Sequence, residues 1–517
     1  MRYIAKYSLV AAAFFGTVAC TDLEEELRGD FTEKFAPANA GVGQDEGAVT
    51  DGLEAAFNRL LGGTANHGSY FSVQELSSDE AVITQKGGDW FDGGIWLTMH
   101  RHQFASTGVG GLNGAWNDTY GGILQCNELL VKGKPNPNGE GLVALTVSEA
   151  AQVRTLRAYF YWRLLDVFGN VKIAVSPGDD VPQSTRAQVY DFVVNELNAV
   201  LPDLPAGRQE YARVSQGAAN ALLARVYLNA QVYKGTAEYA KAIEAADRVI
   251  NSGVYTLAPN FADVFSPRNT DNPEHIMIAP FDAETGTGMN FAMMTLHYPS
   301  QLTFRATAQP WNGYSTMEEF YNSFSDADKR KAASFIVGPQ KDITGNPILD
   351  LAYDKADPDG AEINYTPKIN ELAPNGSRQA GARLGKFSFK IGVTPDMDND
   401  YPVLRYGEVL LNKAEAIARQ SGNWSDPAAL AVINELRTRA GVPTYTTMTE
   451  GEFLAERGRE LFQEALRRTD LIRFGAWGRA WWEKPAHNDA HKILMPIPQE
   501  QIDASKAPNK LVQNPGY

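Results

Sequence analysis

The chain has 517 residues, of which 44% are hydrophobic and 21% are charged. This composition is ordinary for a globular protein, and the length allows either several domains or one large domain with long insertions. The formal net charge is -15. Such an acidic balance disfavours nucleic acid as a partner, because long-range repulsion would oppose its binding.

The first residues have the layout of an export signal. Arg2 and Lys6 supply positive charge, residues 9–15 are apolar but too few to span a bilayer, and the small residues 16–19 lead directly to Cys20. This layout resembles a bacterial lipoprotein signal, which would place lipidation on Cys20. An ordinary secretory peptide is the alternative.

We therefore predict a signal peptide over residues 1–19 and an acylated N-terminus with an acidic tether over residues 20–47. Removal of Arg2 and Lys6 with the signal would leave the mature chain at a net charge of about -17. With Cys20 lipidated, Cys126 is the remaining cysteine, so no intramolecular disulfide is expected. We expect Cys126 to be a buried structural thiol.

Helical periodicity dominates the rest of the chain. Apolar residues at steps of three and four predict a scaffold helix from Ser148 to Asn170, with Ser148 as its cap and Gly169 at its end. Further helices are predicted at residues 52–61, 117–130, 187–201, 216–230, 236–250, 404–419 and 427–440. Their pairing indicates a mainly α fold built from tetratricopeptide-like helix pairs, with minor β structure such as a strand signal at residues 387–393.

Two loop-rich insertions, at about residues 69–116 and 252–400, are predicted to project from this scaffold within a single domain over residues 48–517. The first contains two tryptophans among glycines and aspartates at Asp89–Trp96, and the second contains Trp311 beside polar residues and a glycine at Gln309–Tyr314. Flat rings stack on the C–H faces of sugars, while carboxylates and amides bind the hydroxyls. The alternative for any one tryptophan is that it anchors its loop to the scaffold.

Metal and catalytic patterns are weak by comparison. His100 with His102, and His487 with His491, have spacings that metals can use, but no third ligand is indicated and we expect surface residues. No nucleophile elbow, phosphate loop or His-Glu-x-x-His run occurs in the sequence. We predict no metal and no cofactor.

Several segments, taken in order, resemble the SusD/RagB family of outer-membrane glycan-binding lipoproteins of Bacteroidetes. They are RTLRAYFYWRLL at residues 154–165, GAANALLARVYL at 217–228, LRYGEVLLNKAEA at 404–416, ERGREL at 456–461, RTDLIRFG at 468–475, MPIP at 495–498 and QNPGY at 513–517. The resemblance covers nearly the whole chain. It implies a scaffold of about four tetratricopeptide-like units with a loop-rich ligand-binding face.

The resemblance also implies a location and a partner. The protein would be lipid-anchored in the outer membrane and exposed at the cell surface, and the acidic run after Cys20 looks like the surface-export signal of such lipoproteins. It would bind an oligosaccharide or polysaccharide without cleaving it and deliver it to a TonB-dependent, SusC-like transporter. The acidic mature chain favours a neutral glycan.

The candidate ligand-binding residues come from the two aromatic loops and from a tyrosine upstream of the second. They are Trp90, Trp96, Trp311, Tyr314, Tyr298, Asp89, Asp92 and Asn312, with Gln309 as a further hydroxyl partner. Two other functions remain open at this point: a RagB-like peptide-binding protein and a surface glycosidase, which would need two carboxylates at a set separation.

Overall fold

The computed structural model describes residues 52–108, 110–136, 138–208, 211–351 and 360–517. The predicted signal peptide, Cys20 and the acidic tether lie outside the described residues. No helix in the described ranges has both the length and the apolar character needed to cross a bilayer.

The described part of the chain is mainly helical, as predicted. Its helices are α1 Glu54–Phe57, α2 Tyr70–Glu75, α3 Ile95–His100, α4 Leu112–Lys132, α5 Val147–Val167, α6 Arg186–Val200, α7 Gln216–Leu228, α8 Ala230–Lys234, α9 Tyr239–Asn251, α10 Phe291–Thr295, α11 Gln301–Phe304, α12 Glu318–Asn322, α13 Lys329–Ser334, α14 Tyr406–Ser421, α15 Pro427–Ala440, α16 Glu450–Leu461, α17 Arg467–Arg473 and α18 Gln499–Ala504.

The strands form two-stranded antiparallel ribbons, so the prediction of minor β structure is also confirmed. They are β1 Ala81–Ile83, β2 Lys134–Pro135, β3 Leu142–Val143, β4 Val171–Lys172, β5 Gln183–Ser184, β6 His275–Ala279, β7 Tyr314–Thr316, β8 Phe335–Ile336, β9 Gly338–Pro339, β10 Asn364–Tyr365, β11 Arg383–Leu384 and β12 Tyr401–Arg405. The pairs are β1 with β7, β2 with β3, β4 with β5, β6 with β12, β8 with β11 and β9 with β10.

The strand predicted at residues 387–393 is wrong. These residues lie outside every strand, and the ring of Phe387 is buried and stacks on Tyr401 at a centroid distance of 5.1 Å. The apolar alternation there reflects aromatic packing in the core, which the sequence pattern does not distinguish from a half-buried strand.

The long helices stack side by side. Helices α4, α5, α6, α7, α9, α14 and α15 each pack against the next, which is the arrangement that tetratricopeptide-like pairing predicts. Helices α9 and α14 are packed neighbours, although residues 252–405 lie between them in the sequence. This segment therefore leaves the helical stack and returns to it, and it supplies β6 to β12.

The cap of helix α5 lies two residues before the predicted one. Thr146, not Ser148, is the N-cap, because its hydroxyl accepts from the Glu149 N–H at 3.2 Å while the Glu149 carboxylate accepts from the Thr146 N–H at 2.8 Å. This reciprocal capping box satisfies two donors that the helix leaves free. Gly169 ends the helix as predicted, in a left-handed conformation with φ of 71°.

Buried ion pairs join the returning segment to the closing helices. Arg405, at the end of β12, contacts Glu460 at 2.9 Å and Glu464 at 2.6 Å, and all three side chains are buried. Breaking such a pair by removing one partner leaves an uncompensated charge and costs about 3–5 kcal/mol. The network therefore fixes the insertion against the scaffold.

Cys126 is fully buried in α4, as expected of a structural thiol, and burial raises the pKa of its thiol to about 12. The expectation that the histidine pairs lie at the surface is wrong for His100 and His102, which are both buried. His102 bonds the Ser77 carbonyl at 2.7 Å and His487 at 2.9 Å, so its two nitrogens are used in packing.

Candidate functional site

A short ribbon brings the two aromatic loops together. Strands β1 and β7 pair antiparallel with Ala81 opposite Thr316 and Ile83 opposite Tyr314. In an antiparallel pair, the end of one strand lies beside the start of the other. The loop that follows Ile83 and the loop that precedes Tyr314 therefore meet at one end of the ribbon.

Trp90 and Trp311 are joined at this end. The indole N–H of Trp90 donates to the backbone carbonyl of Trp311 at 2.6 Å, and both side chains are half-buried. Gly313 lies under the Trp90 ring so closely that a Cβ at this position would overlap the indole. Trp90 itself has a φ of 57°, a left-handed conformation that a non-glycine residue adopts only when its surroundings impose it.

His67, which sequence reasoning missed, completes the group of rings. Its exposed imidazole contacts Trp311 at a centroid distance of 5.0 Å and Trp90 at 6.1 Å, in both cases edge to face. Partial desolvation of the imidazole lowers its pKa. This effect is larger than the opposite effect of the nearby Asp92 carboxylate, which raises the pKa. His67 is therefore a neutral ring at pH 7. A lone histidine in a polar loop carries no sequence signal that would have identified it.

Asp89 and Tyr298 form the polar side of the surface. The exposed Asp89 carboxylate accepts a hydrogen bond from the hydroxyl of the half-buried Tyr298. The Arg378 guanidinium lies 5.8 Å from the centre of the Tyr298 ring, within the range of a cation–π contact. Arg378 was also missed by sequence reasoning. The structure thus sets a carboxylate, a phenol and a guanidinium beside the indoles.

Asp92 supports the loop that carries Trp90. Its exposed carboxylate accepts the indole N–H of Trp96 at 2.6 Å, and its φ of 38° is left-handed. Trp96 is only 4% exposed and lies beneath Trp90, with their rings 6.0 Å apart. The prediction of Trp96 as a ligand contact is therefore corrected, since it anchors the loop. Phe91, between these residues, is 50% exposed and was not predicted.

Tyr314 and Asn312 are also corrected, because both side chains are fully buried. The Tyr314 hydroxyl is hydrogen-bonded to Ser72 at 2.7 Å, and its ring packs edge to face on Trp90. The Asn312 side chain lies 3.2 Å from Nδ1 of His297. They hold the second loop in place beneath the surface instead of contacting a ligand.

The buried His297 holds this second loop in place through hydrogen bonds. Its Nδ1 accepts the Tyr298 backbone N–H at 2.9 Å, so its Nε2–H donates to Asp350 at 2.8 Å. Burial lowers the pKa of His297, although Asp350 acts in the opposite direction. A neutral imidazole in this tautomer fixes the backbone next to Tyr298, which positions the phenol beside Asp89.

We call the exposed and half-exposed groups at this end of the ribbon the aromatic platform. Its members are His67, Asp89, Trp90, Phe91, Asp92, Tyr298, Trp311 and Arg378. Rings that project partly into water, flanked by carboxylates and a guanidinium, fit a ligand with alternating apolar and hydroxyl faces. Among the described residues, no group of three or more His, Cys, Asp or Glu side chains is arranged to hold a metal ion.

Comparison with known proteins identifies relatives of the whole chain. Residues 270–517 match the model of the SusD family, and residues 53–228 match a model described as starch-binding and associating with the outer membrane. The starch-binding protein SusD of Bacteroides thetaiotaomicron is 30% identical over 422 residues, which cover 73% of this chain and 74% of that protein. A SusD-like protein P2 of Formosa agariphila is 25% identical over 97% of both chains.

Solved structures share the fold. A laminarin-binding SusD-like protein superposes with a TM-score of 0.69 at 22% identity, over 90% of this chain and 98% of that one. Surface glycan-binding protein A of B. thetaiotaomicron, in complex with laminarihexaose, superposes with a TM-score of 0.67 at 21% identity over the same shares. The matched family consists of non-catalytic binding proteins, which sets aside the glycosidase alternative. On the strength of the 30% identical relative and the two matching models, this chain belongs to the SusD family, the SusD/RagB glycan-binding proteins that its motifs indicated.

Proposed function

We propose that this protein binds a neutral oligosaccharide or polysaccharide at the cell surface through the aromatic platform and delivers it to a TonB-dependent transporter. The observation that carries the proposal is the meeting of Trp90, Trp311 and His67 at one surface, held by the indole hydrogen bond at 2.6 Å. Three rings at different tilts offer stacking faces to successive sugar units. Asp89, Asp92 and Arg378 supply acceptors and donors for hydroxyl groups.

The relatives support a glycan as the ligand class. One curated relative is named for starch and two structural neighbours are named for laminarin or contain laminarihexaose. Both of these polysaccharides are uncharged glucans. An uncharged ligand also agrees with the net charge of -15 on this chain, which would repel a polyanion.

Affinity electrophoresis and calorimetry with laminarin, starch and a panel of other neutral polysaccharides test the proposal. Trp90→Ala and Trp311→Ala should each weaken binding at least tenfold, which corresponds to about 1.4 kcal/mol. Trp424→Ala is the matched control, because Trp424 is a half-buried tryptophan that packs on Phe453 and Phe474 in the scaffold. If the variant that carries both Trp90→Ala and Trp311→Ala binds glycan as tightly as the wild type, the site assignment is wrong.

A RagB-like peptide-binding function is the remaining alternative. A peptide site needs more polar groups directed at a backbone and fewer exposed rings, so the aromatic platform favours sugar. Calorimetry with a mixture of short peptides separates the two. The alternative would be supported if the wild type released heat on binding peptides but not on addition of any glycan, and if the heat from peptides were absent in Trp90→Ala.

The lipid anchor and the transporter are proposed from the sequence. Cys20→Ala should release the protein from the membrane fraction, and protease treatment of intact cells should digest the wild-type protein if it faces outward. Mild detergent extraction followed by purification through a C-terminal tag should recover a TonB-dependent transporter as a stoichiometric partner. Recovery of the tagged protein alone would contradict the proposed assembly.

A further inference from the structure

A second concave site lies at the opposite end of the β1–β7 ribbon. The aromatic platform adjoins the end where Ile83 pairs with Tyr314. Beyond the other end, where Ala81 pairs with Thr316, a cavity of about 360 Å³ opens between the residues before β1 and helices α12 and α16. Asp79 at this cavity and Thr84 near the platform are five positions apart in the sequence, a separation of at most about 18 Å.

The floor of the cavity is apolar and partly aromatic. It is formed by Phe320 of α12, Leu454 and Ala455 of α16, and the half-buried Trp481. The volume is within the range of about 300–1,000 Å³ that small-ligand sites occupy. Phe320 and Leu454 are each only 6% exposed, so the accessible apolar surface of this floor comes mainly from Trp481 and Ala455.

The wall of the cavity is ionic and its charges are largely paired. Arg467 holds the Asp79 carboxylate with two hydrogen bonds of 2.6 and 2.9 Å, and Arg479 contacts the same carboxylate. Burial would raise the pKa of Asp79, but the two guanidiniums hold it below its ordinary value. The Arg479 side chain is 47% exposed, so its remaining N–H groups face solvent at the mouth of the cavity.

The rim supplies acceptors. Glu319 and Ser323 are exposed where the cavity opens, and the Glu319 carboxylate makes no hydrogen bond or ion pair with any residue that the structure describes. Its charge balances the excess positive charge of the two arginines over Asp79. The cavity as a whole is therefore close to neutral, which disfavours both a strongly anionic and a strongly cationic ligand.

We propose that this cavity is a second carbohydrate-binding site, separate from the aromatic platform, that takes one or two neutral pyranose rings. The apolar floor accepts the C–H face of a sugar, while Arg479 donates to and Glu319 accepts from its hydroxyls. The site does not share a side chain with the aromatic platform. It binds its sugar whether or not the platform is occupied.

Fluorine NMR of protein labelled with 5-fluorotryptophan tests this site directly, since Trp481 is its own reporter. The chain has nine tryptophans, and Trp481→Phe, Trp90→Phe and Trp311→Phe identify the three resonances. The probes are neutral disaccharides built from glucose, mannose, galactose or xylose, each added to about 20 mM, well above the millimolar dissociation constants of weak sites. A saturable shift of the Trp481 resonance with at least one of them is expected.

A cavity-filling variant makes the result specific. Ala455→Phe should weaken the response of Trp481 at least tenfold while leaving the responses of Trp90 and Trp311 unchanged. The matched control is Ala428→Phe, on the exposed first turn of α15, which should change neither response. Circular dichroism confirms that both variants fold.

The possible outcomes test the two proposed sites separately. A Trp481 resonance unmoved by every disaccharide overturns the cavity proposal, and so does a shift that persists in Ala455→Phe. Unmoved Trp90 and Trp311 resonances with a moving Trp481 resonance would instead count against the aromatic platform. The failure of one proposal is thus separable from the failure of the other.

Discussion

The indole of Trp90 is hydrogen-bonded at 2.6 Å to the backbone of Trp311, a residue 221 positions further along the chain. The bond joins the two insertions that carry the candidate ligand-binding residues. Because the donor is itself a ring of the aromatic platform, the position of one stacking surface depends directly on the backbone of the other loop. Changes beneath these rings should therefore alter binding without touching a ligand.

Gly313→Ala tests the space under Trp90. The added methyl group would overlap the indole ring, although the backbone at Gly313 does not require glycine. We expect a loss of about 1–3 kcal/mol in the free energy of unfolding, the range for overpacked sites, together with weaker glycan binding. Urea denaturation and calorimetry measure the two effects.

The double variant Trp90→Ala/Gly313→Ala is the control for this prediction. Once the indole is removed, the methyl group has room, so Gly313→Ala should change the free energy of unfolding by less than about 0.5 kcal/mol in that background. An equal loss in both backgrounds would show that the glycine matters for another reason.

Thr146→Ala tests the observed cap of α5. Loss of the threonine hydroxyl should lower the free energy of unfolding by about 1 kcal/mol, because the Glu149 N–H loses its acceptor. Ser148→Ala, at the position that the periodicity suggested, should stay within about 0.5 kcal/mol of the wild type. Thermal or urea unfolding of the two variants side by side distinguishes them, and a larger loss at Ser148 would contradict the cap seen here.

Glu80→Gln tests a buried pair of carboxyl groups next to β1. Burial raises the pKa of Glu75 to about 7 and raises that of Glu80 well above its ordinary value, and neither Glu80 oxygen has a hydrogen-bond partner among the described residues. Arg467 lies 3.7 Å from Glu80, and Asp79, Lys386 and Glu464 are the other charged groups that act on the pair.

The sign of the pH effect follows from these directions. In the unfolded chain both carboxyls titrate near pH 4.5, whereas the folded protein keeps them protonated to higher pH. Their contribution to stability is therefore complete below pH 4.5, and that of Glu75 is lost as the pH rises through about 7. Between pH 5 and pH 8 the wild type should lose stability relative to Glu80→Gln. Urea unfolding at each pH measures this difference, and a constant difference would refute the assignment.

Cys126 should be inert in the folded protein. Its thiol is fully buried, and burial raises its pKa to about 12, so almost no thiolate is present at pH 8. In a soluble form that begins at residue 21, Ellman's reagent should react with no thiol until urea unfolds the chain, after which it should react with one. Rapid labelling under native conditions would show that α4 opens locally.

Much of the scaffold could be predicted because the periodicity and the caps of a helix depend on residues that are close together in the sequence. Pro427–Ala440 has the predicted bounds, and Gly169 ends α5 as expected. The cap of α5 was also within reach, since Thr146 and Glu149 have the spacing of a capping box. Ser148 lies closer to the apolar stripe, but only Thr146 has a glutamate three residues later to act as the reciprocal partner.

The candidate site could be predicted from the sequence only in part. Trp90 and Trp311 stood out because indoles among glycines and aspartates do not suit a core strand, and the structure places both at the surface together. Tyr314 belongs to a strand whose pairing partner decides its burial, and its partner Ile83 is 231 positions away in the sequence. His67 and Arg378 carry no local pattern. Their positions depend on the fold, so only coordinates reveal them.

The distance in sequence between the two halves of the aromatic platform has a consequence for how the protein matures. His67, Trp90, Tyr298, Trp311 and Arg378 come from three widely separated stretches, and a ribbon with only three residues in each strand aligns them. Pairing over such long loops is entropically slow. Ligand recognition should consequently be the last property that a newly synthesised copy acquires, well after its helices have formed.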